Sequence, residues 1–130
     1  MIKTINNNIQ EIYCSFEISK LLKEKGFDCG VIALYDKNGF HEYGNVPYGM
    51  DHSYNSSNKK DEICSPTHAL VIEWIRVNFD IWISVDYTKE SKWFYNIVLL
   101  SEDGGNIKTN FNSQTEAYSE AIEYTLKNLI

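Results

Sequence analysis

Residues 81–100 place the strictest limit on the fold, because side chains of two kinds alternate along residues 81–87 and a second, largely apolar segment follows at residues 93–100. Alternation with a period of two is typical of a β-strand that buries one of its faces. A turn over residues 88–91 separates the segments, and strands joined by so short a turn pair antiparallel. These residues therefore predict two antiparallel strands, 81–87 and 93–100, that lie side by side in a sheet.

Three segments with helical periodicity accompany these strands. They are residues 16–25, 66–78 and 114–129. Each follows a serine in the N-cap position, namely Ser15, Ser65 or Ser113, where the hydroxyl can accept a hydrogen bond from the first helical turn. Pro66 suits the first position of the second helix. In the third helix, Glu116 lies three residues after Ser113, which is the spacing of a capping box. The sequence therefore predicts three α-helices with defined starting points.

The second of these helices carries the widest apolar arc. Leu70, Trp74 and Val77 share one stripe, and Val71 and Ile75 widen it. An arc of that width is typical of a helix that is buried on most sides. We therefore expect this helix to be the central one, with Trp74 in the core.

A second hairpin is predicted around Asp36-Lys37-Asn38-Gly39, because Asn-Gly between two apolar segments is the strongest short hairpin signal. Its strands are residues 29–35 and 40–43. A turn signal at residues 103–106 is followed by residues 107–109, which can add a short edge strand. The number of strands is therefore expected to be four or five.

Together these elements predict an α+β fold, with the helices packed on a mostly antiparallel sheet of four to five strands. The expected order is α-β-β-(long loop)-α-β-β-(β)-α. We expect a single domain over residues 1–130, a length sufficient for one self-sufficient core. Residues 1–10 are expected to fray, and residues 44–63, which have no periodicity, to form a long loop.

Charge and composition argue against several classes of partner. The net charge is −6, from 12 Lys+Arg and 18 Asp+Glu, so no nucleic-acid partner is expected. No apolar segment approaches the roughly 18 residues that cross a bilayer, and no secretory signal is evident, so no membrane partner is expected either. Cys14, Cys29 and Cys64 form no CxxC pair and fit free thiols in a reducing cytoplasm.

Short motifs from residue 15 onward resemble those of a known group of proteins. The motifs are Ser15-Phe16-Glu17-Ile18, Lys20 to Asp28, Tyr35-Asp36, Tyr48 to Asn58, Cys64-Ser65-Pro66-Thr67, Trp74-Ile75-Arg76 and Glu116 to Ile130. The group consists of small uncharacterised proteins encoded by bacteriophages and prophages of Bacteroidetes. The resemblance implies a phage accessory protein that acts inside a bacterial host. Since the group has no known activity, it implies no catalytic residue.

Cys64 and His68 are the candidates for catalysis. The N-terminus of a helix lowers the pKa of a nearby thiol, and a histidine four residues further on could pair with that thiol. The same residues also fit a small buried cysteine beside a surface histidine, because no Asn or Asp is placed to orient the pair. A small cysteine-dependent enzyme is therefore an alternative function.

No metal or cofactor is predicted. His52 and Asp51 could add two ligands to Cys64 and His68, but the paired close spacings of zinc sites are missing. Asp86 is the one carboxylate whose neighbours could raise its pKa, and it fits a solvent-facing strand residue as well. The sequence also contains no P-loop, GxGxxG, GxSxG, HExxH or EF-hand pattern.

The long loop is the first candidate for recognition. Its Tyr, Asn, Ser and Gly content resembles that of antibody binding loops, in which tyrosines supply contact area at low entropic cost. The candidate contact residues are Tyr43, Tyr48, Met50, His52 and Tyr54. The same tyrosines could instead form a lid over the core, and both interpretations stay open.

The second candidate is one face of the predicted sheet, on which Trp82, Phe94 and Val98 would form an apolar patch. The long loop or the N-terminal segment could cover this patch, or it could form a homo-oligomer. The preferred function is a non-enzymatic protein-binding accessory module that acts on a host or defence protein. A virion structural or assembly component is a further alternative to the cysteine-dependent enzyme.

Overall fold

The computed structural model describes residues 11–43, 53–59 and 61–130. These residues form six β-strands and three α-helices, so the predicted α+β class is confirmed. The chain divides into two compact units, a first unit, Met1–Thr67, and a second unit, His68–Ile130. Each unit contains one three-stranded antiparallel sheet, so the prediction of one sheet with four to five strands is wrong.

The first unit contains one helix and three short strands. They are α1 (Phe16–Glu24), β1 (Ala33–Tyr35), β2 (His41–Tyr43) and β3 (Ile63–Cys64). Ser15 caps α1 as predicted, because its Oγ accepts a hydrogen bond from the Ile18 N–H at 3.2 Å. Strand β1 is central and pairs with β2 on one side and β3 on the other. The core of this unit consists of Cys14, Ile18, Leu22, Phe27, Val31, Ala33, Leu34, Tyr35 and Cys64.

The hairpin between β1 and β2 is confirmed. Asp36 Oδ1 accepts hydrogen bonds from the N–H groups of Asn38 and Phe40, at 2.8 and 3.0 Å. Gly39 has a φ of 82°, in the left-handed region that residues with a Cβ rarely adopt. The aspartate and the glycine therefore close the turn together.

Strand β3 begins at Ile63, the last residue of the segment 44–63 that was predicted to be a loop, and was not predicted. It has only two residues, too few for any periodicity, and its partner β1 lies about 30 positions earlier in the chain. Further contacts fix residues 53–58. Ser53 forms an isolated bridge with Val31, and the Asn55 side chain bonds to the Phe27 carbonyl and the Cys64 N–H.

The second unit contains two helices and three longer strands. They are α2 (His68–Phe79), β4 (Ile81–Thr88), β5 (Lys92–Leu99), β6 (Gly105–Phe111) and α3 (Gln114–Asn128). The strand order is β4-β5-β6, and β4 and β5 form the predicted antiparallel pair, in which Ile83 lies opposite Ile97. Strand β6 is seven residues long, more than the three predicted. Ser113 caps α3 as predicted, because its Oγ accepts a hydrogen bond from the Glu116 N–H at 3.1 Å, whereas the Glu116 carboxylate accepts from the N–H of Asn112 rather than from that of Ser113.

One face of the β4-β5-β6 sheet is covered by α2 and α3. The residues buried there and on the two helices are Val71, Ile72, Ile75, Ile81, Ile83, Tyr95, Ile97, Ala117, Ala121, Ile122 and Leu126. Because buried and exposed residues alternate along β4, this packing leaves the opposite face of the sheet uncovered by the two helices of the second unit.

The start of α2 differs from the prediction. The helix begins at His68, and Ser65 is not its N-cap. The Ser65 hydroxyl instead donates a hydrogen bond to the Cys14 carbonyl at 3.1 Å and contacts His41 Nε2 at 2.9 Å. A buried hydrogen bond within the first unit thus occupies the group that was expected to cap the helix.

The buried side of α2 also differs from the prediction. Val71 and Ile75 are fully buried, whereas Trp74 is only half-buried and Val77 is 64% exposed. The helix is apolar on so much of its circumference that its pattern fits more than one orientation. The expected placement of Trp74 in the core is therefore wrong.

Candidate interaction surface

The second unit presents a sheet face that neither of its own helices, α2 and α3, covers, which we call the outer face. Three pairs of opposed residues lie on it, and the pairing of β5 with β6 adds two more positions. The outer face consists of Trp82, Ser84, Asp86, Phe94, Asn96, Val98, Gly105 and Ile107. Alternation along β4 and β5 assigns the side chains of those strands to this face, and the pairing of β5 with β6 adds Gly105 and Ile107.

Half of the residues on the outer face are apolar. Trp82 is 39% exposed and Ile107 is 64% exposed, while Phe94 and Val98 are half-buried. Trp82 lies directly opposite Val98. The structure therefore places the three residues of the predicted patch on one face, and it adds Ile107 to them.

Ile107 was not among the predicted contact residues. It joins the outer face because the register of β6 places it opposite Asn96. The signal was present in the sequence, since Ile107 alternates with Asn106 and Lys108. Three residues were too few to show which strand they pair with.

A polar group lies in the middle of the outer face. The Asn96 Oδ1 atom is buried and has no hydrogen-bond partner among the described residues. A Cβ at position 105 would lie 2.7 Å from that oxygen and 2.9 Å from the Ile97 carbonyl oxygen. Gly105 therefore leaves the space that the Asn96 side chain occupies.

Asp86 gives the outer face an acidic margin. Its side chain is exposed, and its Oδ1 accepts a hydrogen bond from the Tyr87 N–H at 2.8 Å. Asp86 lies opposite Phe94, at the end of the outer face away from Trp82. The carboxylate is therefore available to a positively charged group at the rim of the patch.

Of the loop candidates, Tyr48, Met50 and His52 and the side chain of Tyr43 lie outside the described residues. Tyr54 is described and belongs to the first unit. Its side chain is exposed, and its carbonyl accepts hydrogen bonds from the N–H groups of residues 57 and 58 at 3.1 and 3.0 Å. A closed turn therefore holds the backbone of Tyr54 while its ring faces solvent.

Cys64 is a buried, protonated thiol. Burial raises the pKa of this thiol to about 11, although a hydrogen bond from Asn58 Nδ2 at 3.1 Å acts in the opposite direction. The sulfur also contacts the Ser53 carbonyl at 3.5 Å. Because the thiolate is the nucleophile, a thiol that keeps its proton at neutral pH is poorly suited to catalysis.

His68 is buried in the second unit. Its Nε2 lies 3.3 Å from Ser119 Oγ, and its ring stacks on Tyr118 with the centroids 5.9 Å apart. Burial lowers the pKa of His68 to about 4, so the ring is neutral at pH 7. The hydrogen bonds of Cys64 and His68 described above run to residues of their own units.

The first unit also contains a polar cleft of about 460 Å³. Its lining residues are all polar or charged: Asp36, Lys37, Asn38, Glu42, Lys59, Asp61 and Glu62. Carboxylates and ammonium groups of the cleft lie near each other, as in the pair of Lys59 and Glu62 at 4.0 Å. The cleft therefore differs in chemistry from the apolar outer face.

Within residues 11–43, 53–59 and 61–130, no group of three or more His, Cys, Asp or Glu side chains could hold a metal ion. In the same residues, no helix has the length and apolar character needed to span a bilayer.

Comparison of this chain with known proteins identified no relative. The sequence matches no protein-family model, and no similar curated protein or solved structure was found.

Proposed function

We propose that this chain is a non-enzymatic protein-binding module that uses the outer face of its second unit. One observation carries the proposal: Trp82 and Ile107 are exposed on a sheet, with Phe94 and Val98 between them. Exposed apolar residues that share one surface with polar groups are typical of protein interfaces, in which tryptophan is a frequent contact residue. Buried Cys64, with its raised pKa, supports this choice over a cysteine-dependent enzyme.

The charges of the chain indicate the chemistry of the partner. The net charge is −6, and Asp86 lies at the margin of the outer face. A partner with an apolar patch bordered by Lys or Arg would be complementary in both respects, and opposite charges also accelerate the encounter. The setting that we propose, a host or defence protein in the bacterial cytoplasm, depends on the resemblance to phage and prophage proteins.

The proposal is tested by affinity capture from a lysate of a Bacteroidetes host, followed by mass spectrometry. Trp82→Ser is compared with the wild type, and Val77→Ser is the matched control, because Val77 is also exposed in the second unit but lies on helix α2 and not on the outer face. We expect Trp82→Ser to lower the recovery of the specific partner at least about tenfold, the change that 1.4 kcal/mol of binding energy produces. Thermal melting verifies that both variants are folded.

Equal recovery of the same partner by wild type and Trp82→Ser would contradict the use of the outer face. The double variant Tyr48→Ala, Tyr54→Ala then tests the loop in the same assay. Loss of the partner from this variant, without a change in melting temperature, would assign binding to the loop tyrosines.

A further inference from the structure

Strand β6 is an unpaired edge of the sheet in the second unit. The strand order is β4-β5-β6, and no strand in the described part of the chain pairs with the side of β6 that faces away from β5. Ile107, Lys108 and Thr109 are all exposed, and β6 contains no proline. Exposed edges of this kind are templates for the addition of another strand.

We infer that a second copy of this chain occupies this edge. Strand β6 of one copy pairs antiparallel with β6 of the other, about a two-fold axis that passes beside Ile107. In this register Ile107 lies opposite itself, Asn106 opposite Lys108, and Gly105 opposite Thr109. The interface is self-complementary, as a two-fold dimer requires.

Charge and backbone geometry select this register. A pairing centred on Lys108 would place two ammonium groups directly opposite each other, which destabilises a sheet. Beyond Lys108 the register of β6 shifts, because β6 has two residues between paired positions where β5 has only one, and this bulge limits regular pairing toward Phe111. The register centred on Ile107 avoids placing the two Lys108 ammonium groups opposite each other, and it pairs all five residues from Gly105 to Thr109.

The edge also carries charges of both signs. Lys108 Nζ lies 3.9 Å from Glu120 Oε2 of α3, and both side chains are exposed. Two-fold symmetry brings Lys108 of each copy toward the α3 side of the other copy, where Glu120 lies. Lys108 and Glu120 of one copy therefore face Glu120 and Lys108 of the other copy.

Pairing through β6 would produce one six-stranded sheet. Because the axis is perpendicular to the sheet, both outer faces lie on the same side, with the two Ile107 side chains in contact at the centre. The apolar surface then extends from Trp82 of one copy to Trp82 of the other. This inference goes beyond the proposed function, because it requires no protein other than the chain itself.

The first test is sedimentation of the purified full chain over a concentration series. We expect a monomer–dimer equilibrium, with a Kd that Ile107→Lys raises at least about tenfold, since it places like charges opposite each other at the axis. Leu100→Lys is the matched control, because Leu100 is exposed in the same unit but lies outside β6. Its Kd should equal that of the wild type.

The second test traps the register with a disulfide. Opposed residues of an antiparallel pair have Cα atoms about 5 Å apart, within the range that a disulfide spans. Ile107→Cys should therefore form a covalent dimer under mild oxidation. Thr109→Cys is the control on the same strand, because its two copies would lie about 13 Å apart in this register. Both variants keep the three native cysteines, so the wild type gives the background.

A chain that stays monomeric throughout the concentration series would overturn the inference. So would a dimer that Ile107→Lys leaves unchanged, or a disulfide that forms as fast in Thr109→Cys as in Ile107→Cys. These measurements use the purified chain alone. Their outcome is therefore distinguishable from a failure of the proposed function, which is measured by capture of another protein.

Discussion

The two units of this chain are stabilised in different ways, although each contains one three-stranded antiparallel sheet. The strands of the first unit are three, three and two residues long. Those of the second unit are eight, eight and seven residues long. Short strands form few ladder hydrogen bonds, so the first unit depends more on hydrogen bonds from side chains, and the second depends on apolar packing along the strands.

The carbonyl of Cys14 shows how side chains stabilise the first unit. It accepts hydrogen bonds from Tyr35 Oη at 2.8 Å and from Ser65 Oγ at 3.1 Å. The donors lie 21 and 51 positions away along the chain, and all three residues are buried. Hydrogen bonds between residues so far apart in the chain leave no periodic pattern in the sequence. A unit stabilised by apolar packing along its strands is therefore easier to predict from sequence than one stabilised by such hydrogen bonds.

The largest expected effect is that of a cavity in the second unit. Ile97 is fully buried in the central strand, so Ile97→Ala should lower the free energy of unfolding by about 2–5 kcal/mol. Ile32→Ala is the matched control, because Ile32 is exposed in the first unit, and it should change stability by less than about 0.5 kcal/mol. Urea denaturation measures both changes. Similar costs for the two variants would contradict the assigned core.

The sequence predicted the second unit well because its signals are local. The period of two along residues 81–87, the short turn and the apolar segment 93–100 predicted the β4-β5 pair, and Ser113 with Glu116 predicted the start of α3. The orientation of α2 was not predictable, because Trp74 and Ile75 are both apolar and only the packing of the helix distinguishes them. In the first unit β3 was missed, because two residues carry no pattern.

In the candidate site, too, only the residues that local signals assign were predictable. Trp82, Phe94 and Val98 were predictable as one face, because alternation alone assigns them to it. Ile107 was not, because its place depends on the register between β5 and β6. The buried Asn96 oxygen and the space beside Gly105 were likewise beyond sequence analysis, since both arise from contacts across that register.

The second largest effect is a loss of stability in acid, caused by His68. Burial lowers the pKa of His68 from 6.5 to about 4, so below pH 6.5 the unfolded chain binds a proton that the folded chain does not. The stabilisation is complete above pH 6.5 and is lost as the pH falls toward 4, by up to about 3 kcal/mol. Urea denaturation at several pH values measures this loss.

His68→Gln removes the titrating ring and separates this effect from that of the carboxylates. The difference in stability between wild type and His68→Gln should shrink steadily from pH 7 to pH 4. A difference that is independent of pH would contradict the burial of a neutral His68. Burial also lowers the pKa of His41 in the first unit, so hydrogen exchange followed by peptide mass spectrometry is needed to assign the loss to a unit.

The third prediction concerns Asn55 of the first unit. Its Nδ2 donates to the Phe27 carbonyl at 2.8 Å, and its Oδ1 accepts from the Cys64 N–H at 3.0 Å. Asn55→Ala leaves both backbone groups without this partner, which should cost about 1–3 kcal/mol. Hydrogen exchange should increase in peptides of the first unit. Asn128→Ala is the control, because Asn128 is exposed and bonds only to its own helix, at the Tyr124 carbonyl.

The smallest effect is expected for Tyr35→Phe, which removes one donor from the Cys14 carbonyl but leaves Ser65 in place. Because the carbonyl remains hydrogen-bonded, the cost should be about 0.5–1.5 kcal/mol, the net value of a single hydrogen bond. Tyr95→Phe is the matched change in the second unit. Tyr95 is buried by the stacked ring of Phe111, and its hydroxyl forms no hydrogen bond among the described residues, so its loss should cost less than about 0.5 kcal/mol.

The two phenylalanine variants each remove only a hydroxyl group, so comparing them tests whether side-chain hydrogen bonds stabilise the first unit more than the second. If the first unit depends on side-chain hydrogen bonds, Tyr35→Phe lowers the urea midpoint more than Tyr95→Phe, although both rings stay buried and keep their apolar contacts. Equal shifts would mean that removing a hydroxyl costs the same in both units. The polar contacts around Cys14 would then accompany the packing of the first unit without stabilising it.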